Sequence, residues 1–276
     1  MPKINIERVA GMNICYHLFT TEYFLDSLCR LGMKSVEFWG GYPHQFISEK
    51  SYPPVKTIRR MIEERGLNLI CYTPEQIQYY YNIAAREDDI REDSVEHFRR
   101  CIYAAAEMGA PKMLMTCGWG YQDEDREEAW KRSRESLHNL GEYAGKMGII
   151  LALENLQQVE SNLIYTLPQL KKMLDELQCP AFKAIVDTVP MHLAGETMKD
   201  YIEAFGDDLV HTHLVDGNPT GHLAWGEGEL PLDEDVQTLC DLSYKGTMSF
   251  EVCGGNNFDP EGEMKKSFTR IGPYLG

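Results

Sequence analysis

The sequence repeats one short phrase, in which an amphipathic segment is followed by a glycine and then by a short apolar run. Glycine readily adopts the left-handed conformation that ends many helices, and an apolar run is typical of a buried parallel strand. Each copy therefore predicts a helix, a glycine cap and a strand. The phrase occurs as RLGMKSVEFW, ERGLNLICYT, EMGAPKMLMTC, KMGIILALEN and YKGTMSFEVC, with caps predicted at Gly32, Gly66, Gly109, Gly148 and Gly246.

Three further apolar runs, GMNI, KAIVDT and LVHTHLVD, bring the number of predicted strands to eight. The strands are expected near 10–14, 34–39, 67–73, 112–117, 149–154, 183–188, 209–215 and 247–253. Helices are expected near 20–31, 53–65, 90–108, 125–147, 167–177, 197–205, 232–243 and 261–274. Eight strands alternating with helices predict a single α/β domain over residues 1–276, a closed (β/α)8 TIM barrel. An open doubly wound sheet would call for a glycine-rich phosphate loop after the first strand, and GMNICYHLF contains none.

Charge and composition exclude several classes of partner. The chain has 27 Lys and Arg against 43 Asp and Glu, a formal charge of −16, which repels nucleic acid and anionic membranes. No apolar run approaches the roughly 20 residues that a membrane span needs, and the first residues lack the pattern of a secretory signal. The eight cysteines are scattered without paired spacing, which favours reduced thiols. We therefore expect a cytoplasmic protein whose ligand is a small, neutral or cationic molecule.

Candidate metal ligands stand at the carboxyl ends of the last four predicted strands. Glu154 ends LALE, Asp187 ends AIVD, His213 lies in HTHLVD and Glu251 lies in SFEV. In a (β/α)8 barrel these ends converge on one mouth, where such enzymes work. One acidic residue there caps the next helix as readily as it binds a metal, but several buried carboxylates facing one another need a cation. The mixed oxygen and nitrogen set suits Mn²⁺, Mg²⁺ or Co²⁺.

Two further histidines belong to the same region. His211 lies two residues before His213 and points to the same side of the strand, so only His213 should reach the mouth, and we expect His211 to be a hydrogen-bonded core residue. The glycine-rich segment 216–232 is a long loop that could cover the site. Its residue His222 is either a site residue or a solvated loop histidine, and the sequence does not separate the two.

With these residues in place, the chain resembles the xylose-isomerase-like barrel superfamily, and within it the ketose 3-epimerases. The resemblance covers nearly the whole length and rests on LALENLQQVES, VDT, HTHLVD, GEGELPLDE and SFEV. The phrases VEFWGGYPHQF and YTPE are more similar to enzymes acting on fructoselysine than to those acting on free ketoses. The resemblance implies that Glu154 and Glu251 are both metal ligands and the catalytic acid–base pair, that Asp187 and His213 complete the metal site, and that Glu160 lies near the substrate hydroxyls.

The chain departs from the free-ketose epimerases at two positions. Pro190 stands where they carry a histidine, and the nearest histidine, His192, is its candidate replacement as a substrate contact. Pro219 stands where they carry an arginine. Both differences argue against a simple ketohexose substrate. Aromatic residues in or near the predicted top loops could form an apolar wall against the sugar or its substituent, and the candidates are Trp39, Tyr42, Phe46, Tyr72, Trp119 and Trp225.

These features predict a divalent-metal-dependent sugar 3-epimerase or isomerase, with Mn²⁺ as the expected metal and Co²⁺ or Mg²⁺ as alternatives. Inverting a carbon beside a carbonyl requires removal of a proton and stabilisation of the resulting enediolate, which a divalent metal provides. Inosose dehydratases and barrel subunits of C-glycoside deglycosidases use related chemistry and remain open. A metal endonuclease needs extra histidines at strands three and four, and a sugar-binding barrel would have lost ligands. The resemblance also implies a homo-oligomer, a dimer or a tetramer.

Overall fold

The computed structural model describes residues 3–48 and 50–276, and over these residues the chain forms a closed parallel barrel. Each strand pairs with the next, and β8 pairs with β1, which closes the ring. This confirms the predicted fold. The strands are β1 Val9–Met12, β2 Ser35–Gly40, β3 Asn68–Pro74, β4 Lys112–Met115, β5 Ile150–Glu154, β6 Phe182–Asp187, β7 Leu209–His213 and β8 Thr247–Phe250.

The described residues contain nine α-helices, one more than predicted. The additional helix is α6, whose first turn is capped by the Asp187 side chain through the amide of Val189 at 2.7 Å. It was missed because six residues of mixed polarity carry no readable helical period. The helices are α1 Thr21–Leu31, α2 Val55–Glu63, α3 Asp88–Met108, α4 Arg126–Met147, α5 Leu167–Leu177, α6 Thr188–Leu193, α7 Met198–Phe205, α8 Leu232–Asp241 and α9 Pro260–Ile271.

Three of the five predicted glycine caps are confirmed and the one at Gly246 is wrong. Gly66 is left-handed with φ of 65°, but it stands two residues beyond Glu64, the C-cap of α2. Gly32, Gly109 and Gly148 follow α1, α3 and α4 directly with φ of 81°, 80° and 71°. Helix α8 instead ends at Asp241, and Ser243 takes the left-handed conformation with φ of 53°. Gly246 is needed for another reason, since a Cβ there would lie 2.1 Å from the Tyr244 hydroxyl.

The apolar core has two parts. The larger one packs the strands against the helices, while a small separate cluster of four side chains from β3 to β6 contains Cys71, Leu114, Ala152 and Ile185. All eight cysteines are free thiols. Within residues 3–48 and 50–276, no helix is both long enough and apolar enough to cross a membrane.

Candidate metal centre and active site

The four predicted ligands meet at the carboxyl end of the barrel. Glu154, Asp187 and His213 are the last residues of β5, β6 and β7, and Glu251 directly follows β8. His213 Nδ1 lies 2.9 Å from Glu154 Oε1, 2.9 Å from Glu251 Oε2 and 3.9 Å from Asp187 Oδ2. One donor atom from each residue lies within 4.8 Å of the other three. The structure therefore brings together four side chains that are widely separated along the chain.

This set fits a divalent cation. Glu154 Oε1 and His213 Nδ1 are buried, and neither makes a hydrogen bond with any of the described residues although only 2.9 Å separates them. Two ligands that share an octahedral cation at about 2.1 Å lie about 3 Å apart, so the observed spacing suits a common ion. Three carboxylates and one imidazole are the donors that Mg²⁺, Mn²⁺ and Co²⁺ accept.

The charges around the centre also favour a cation. The pKa of Glu154 is raised to about 8, mainly by burial; His213 opposes this rise, and the charges of Glu251 and Asp187 add to it. Burial alone would lower the pKa of His213, but Glu251, Glu37 and Glu154 outweigh it and hold that pKa well above its usual range. The carboxylates thus create a strongly negative potential at the position of the His213 ring.

Glu37 on β2 fixes the orientation of His213 from behind. Its fully buried carboxylate accepts from His213 Nε2 at 3.2 Å, from His211 Nε2 at 2.8 Å and from the hydroxyls of Thr73 and Ser249. Burial raises the pKa of Glu37, but His213 and His211 lower it more, and the result is well below the usual range. An ionised Glu37 can only accept, so it holds a proton on His213 Nε2. This leaves Nδ1, which faces the ligand carboxylates, as the nitrogen that gives up its proton when a cation binds.

His211 is a hydrogen-bonded core histidine, as the sequence predicted. Its Nε2 bonds Glu37, and its Nδ1 lies 2.6 Å from Thr247 Oγ1. Burial lowers the pKa of His211 to about 4, so the ring is neutral and Nδ1 accepts from the hydroxyl. The buried Lys112 in turn donates to Thr247 Oγ1 at 2.6 Å. Glu37, His211 and His213 also lie close enough to hold a metal, but these hydrogen bonds account for their proximity.

The glycine-rich loop after β7 folds back over the barrel mouth. Asp216 organises it by accepting from the amides of Gly217, Gly226 and Leu230 at 2.8 to 3.0 Å. This places His222 Nε2 3.0 Å from Asp187 Oδ2. Burial lowers the pKa of His222, but Asp187 outweighs it and the pKa lies well above its usual range. Of the two alternatives for His222, the structure contradicts the solvated loop histidine, since the ring lies at the barrel mouth beside a predicted ligand.

Comparison with known proteins is consistent with this architecture. The sequence profile of the family described as xylose isomerase-like TIM barrel matches residues 25–272. The chain belongs to this family.

Two relatives and one solved structure illustrate its place among xylose isomerase-like barrels. The chain is 30% identical over 245 residues to fructoselysine 3-epimerase of Shigella flexneri, covering 88% of this chain and 89% of the relative. It is 30% identical over 267 residues to D-psicose 3-epimerase of Enterocloster bolteae, covering 89% and 83%. The apo structure of 3-keto-D-glucoside 4-epimerase from E. coli superposes with a TM-score of 0.81 at 18% identity, over 96% and 98% of the chains. The chain is therefore an enzyme of the xylose isomerase-like family.

In this family member a cavity lies directly above the ligands. Its wall includes Trp39 of β2 and, from the loops after β1, β3, β5 and β8, Ile14, Glu75, Asn155 and Cys253, and Glu160 also lines it. Of the predicted substrate contacts, Trp39, Glu160 and His222 line this cavity. Trp39 is held in place because its Nε1 donates to Glu75 Oε2 at 3.0 Å.

The structure places two other predicted contacts away from this cavity. Tyr72 is fully buried on the outer side of β3, where its hydroxyl lies against Gly40, because Thr73 takes the inward position. His192 lies on α6, and its Nε2 is 2.7 Å from Asp235 Oδ2 on α8. Trp119 lies nearby, but in a separate outer chamber.

Sequence reasoning missed two residues that matter in this family member. Asn155 lines the cavity and its Oδ1 accepts from the Asp187 amide at 3.1 Å, while its buried Nδ2 has no partner among residues 3–48 and 50–276. Its position directly after Glu154 at a strand end was the available signal. Glu37 could have been noticed as an acidic residue in the middle of an apolar strand, where a charge needs buried partners.

Proposed function

We propose that the protein is a divalent-metal-dependent sugar 3-epimerase that acts on a ketose or on a fructosamine-type conjugate of a ketose. The observation that carries this proposal is the pair Glu154 and Glu251. These carboxylates come from β5 and β8, lie on either side of His213 Nδ1 at 2.9 Å, and line one cavity. The relatives that are named as fructoselysine and D-psicose 3-epimerases support the same reaction.

Epimerisation at carbon 3 requires one group to remove a proton and another to return it to the opposite face. Glu154 and Glu251 stand at strand ends separated by β6 and β7, so they approach a bound sugar from different sides. Each carboxylate has two oxygens, and one can hold the cation while the other exchanges a proton. A bound divalent cation supplies Lewis-acid stabilisation of the negative charge on the sugar oxygens.

In the forward direction, the base breaks the carbon 3 C–H bond and the electron pair moves toward the carbon 2 carbonyl, which gives an enediolate. The opposite carboxylic acid then protonates carbon 3 from the other face and restores the carbonyl. No electrons leave the sugar, so no redox cofactor is needed. Asn155 and His222, which line the cavity, are placed to hydrogen-bond sugar hydroxyls during this exchange.

Two structural features argue against a metal endonuclease. The ends of β3 and β4 carry Thr73 and Thr116 rather than the histidines that a multi-metal cluster would need. Among the residues that line the inner cavity, none is Lys or Arg, so no permanently cationic side chain is available there to bind a phosphodiester.

The test is a metal-depleted protein assayed with free ketoses and with fructosamines before and after Mn²⁺ or Co²⁺ is added. We expect formation of the carbon 3 epimer only after metal addition. Glu154→Gln and Glu251→Gln should each lower turnover by at least about 100-fold because they remove the proton-exchanging group. Glu203→Gln, an exposed carboxylate on α7, is the matched control. Full turnover in verified metal-free protein would contradict the proposal, and loss of water from the product would indicate a dehydratase instead.

A further inference from the structure

Helix α6 carries a histidine, His192, that takes no part in the proposed mechanism. Its Nε2 lies 2.7 Å from Asp235 Oδ2 on α8, and because a carboxylate can only accept, Nε2 is the donor. The side chains of His192 and Asp235 are 17% and 6% exposed, and in the described part of the chain Asp235 forms an ion pair only with His192. A nearly buried carboxylate needs such a partner, so this contact ties α6 to α8.

Helix α8 is a rigid partner for this contact. It packs Leu232, Val236 and Leu239 into the core, and each of these residues is at most 1% exposed. Asp235 belongs to the first turn of α8, where the positive end of the helix dipole favours an ionised carboxylate. The Asp235 carboxylate is therefore a fixed acceptor for the last turn of α6.

The other end of α6 begins at a candidate metal ligand. Asp187 caps the helix, and its Oδ1 accepts from the Val189 amide at 2.7 Å. Its other oxygen, Oδ2, lies 3.0 Å from His222 Nε2 and 3.9 Å from His213 Nδ1. The orientation of the Asp187 carboxylate therefore depends on where the first turn of α6 lies, and a tilt of this helix would move Oδ2 relative to the other ligands.

Directional contacts hold α6 at both of its ends. Thr188 and His192 are the only polar side chains of this helix. Thr188 Oγ1 donates to the Val215 carbonyl at 2.7 Å in the first turn, and His192 contacts α8 in the last. Val189 and Met191 are buried, but apolar packing has no preferred direction and lets a short helix tilt. Without the His192 contact, α6 would keep a directional side-chain contact at its first turn alone.

We propose that His192 is a positioning residue for the metal centre, which acts through α6 on the Asp187 carboxylate. Its hydrogen bond to Asp235 holds the last turn of α6 on α8, so that the first turn holds Asp187 Oδ2 toward the other ligands. This role differs from the substrate contact that the sequence suggested for His192. The inference rests on the metal-binding part of the proposed function.

The experiment is calorimetric titration of the metal-free, full-length protein with Mn²⁺, for the wild type, His192→Leu and His192→Gln. Leucine fills the space but cannot donate, whereas glutamine keeps an NH2 group that can donate to Asp235. Residues that orient a metal ligand directly contribute 10- to 100-fold in affinity, and His192 acts one step further away. We therefore expect the Kd for Mn²⁺ to rise by about 5-fold in His192→Leu and to stay within about 2-fold of the wild type in His192→Gln.

A double variant separates positioning from stability. His192→Leu alone leaves the Asp235 carboxylate nearly buried without its partner, which destabilises the fold. His192→Leu combined with Asp235→Leu removes that charge, so stability in chemical denaturation should recover, while the Kd for Mn²⁺ should stay about 5-fold raised because an apolar contact does not fix the direction of α6. This variant also carries the test if His192→Leu fails to fold. His138→Leu, which removes an exposed histidine beside Glu142 on α4, is the matched control and should leave the Kd unchanged.

Each other outcome overturns the role of His192. Wild-type Mn²⁺ affinity in a folded His192→Leu protein would show that the contact with Asp235 does not reach the metal centre. Recovery of the affinity together with the stability in the double variant would show that His192 acts on stability alone, and a raised Kd in His192→Gln would show that its hydrogen bond is not the cause. If the wild type binds no Mn²⁺, the proposed function fails as well, whereas normal binding by the wild type and by both leucine variants overturns only this inference.

Discussion

Replacement of Glu37 by glutamine tests whether the residue behind His213 controls metal binding. The Glu37 carboxylate accepts four hydrogen bonds, two at each oxygen, from His213, His211, Thr73 and Ser249. Glutamine has the same shape but presents an NH2 group on one side, which cannot accept. Two of the four donors must then reorient, whichever way the amide is turned. The negative charge that attracts a proton to His213 Nε2 is also lost.

The size of the effect follows from these contacts. If the amide NH2 faces His213, the imidazole proton must move to Nδ1, and the lone pair that faces Glu154 and Glu251 is lost. If it faces His211, the tautomer of His213 survives but the supporting charge does not. Residues that orient a metal-bound histidine typically contribute 10- to 100-fold in affinity, so we expect the Kd for Mn²⁺ to rise by about 10- to 100-fold.

The assay is calorimetric titration of metal-free Glu37→Gln with Mn²⁺, with circular dichroism to establish that the variant is folded. Thr73→Val removes one of the four donors and keeps the charge, so its Kd should stay within about 3-fold of the wild type. The increase in Tm on Mn²⁺ addition should shrink in Glu37→Gln by the amount that the change in Kd implies. A folded Glu37→Gln protein with wild-type Mn²⁺ affinity would refute the argument that Glu37 sets the His213 tautomer.

Two further predictions concern histidines. His213→Ala should lose Mn²⁺ binding in calorimetry, whereas His211→Ala should mainly lose stability in chemical denaturation, and equal Mn²⁺ affinity of His213→Ala and the wild type would show that the ligand is misassigned. Burial lowers the pKa of His97 from 6.5 to about 4, so the unfolded state binds this proton first and stability falls as the pH drops from about 6.5 to 4. His97→Phe should remove at most about 2 kcal/mol of the stability loss between pH 7 and pH 5, measured by urea denaturation at those two pH values, and an unchanged loss would contradict the burial argument.

The barrel could be predicted because its strands are continuous apolar runs set off by glycine-capped helices. A parallel strand that is buried on both faces must be apolar along most of its length, so the residue types alone reveal it. Helix α6 escaped prediction because it is one short turn stabilised by the Asp187 cap and by packing. The left-handed Ser243 escaped for a similar reason, since its conformation is imposed by where α8 ends.

The clustering of the four candidate metal ligands was predictable because parallel strands bring their carboxyl ends to one level, so sequence position implies spatial proximity. Contacts made by side chains across the barrel were not. Glu37 reaches His213 from β2, and no pattern along the chain announces a pairing of residues 176 positions apart. Tyr72 was misplaced because the sequence alone did not say which of two adjacent strand residues, Tyr72 or Thr73, faces inward. His222 could be assigned only once the loop fold was known.

Solvent deuterium incorporation at carbon 3 of the sugar tests the central claim most directly. The Mn²⁺-loaded protein would be incubated in D2O with D-fructose and with the derivative of D-fructose that carries a methylamino group at carbon 1. The recovered sugars, freed of metal, would be analysed by NMR and mass spectrometry. If Glu154 and Glu251 exchange protons with solvent from opposite faces, the new epimer carries one deuterium, at carbon 3 and nowhere else. Epimer formed without any solvent deuterium at carbon 3 would contradict proton abstraction by these carboxylates and with it the proposed mechanism.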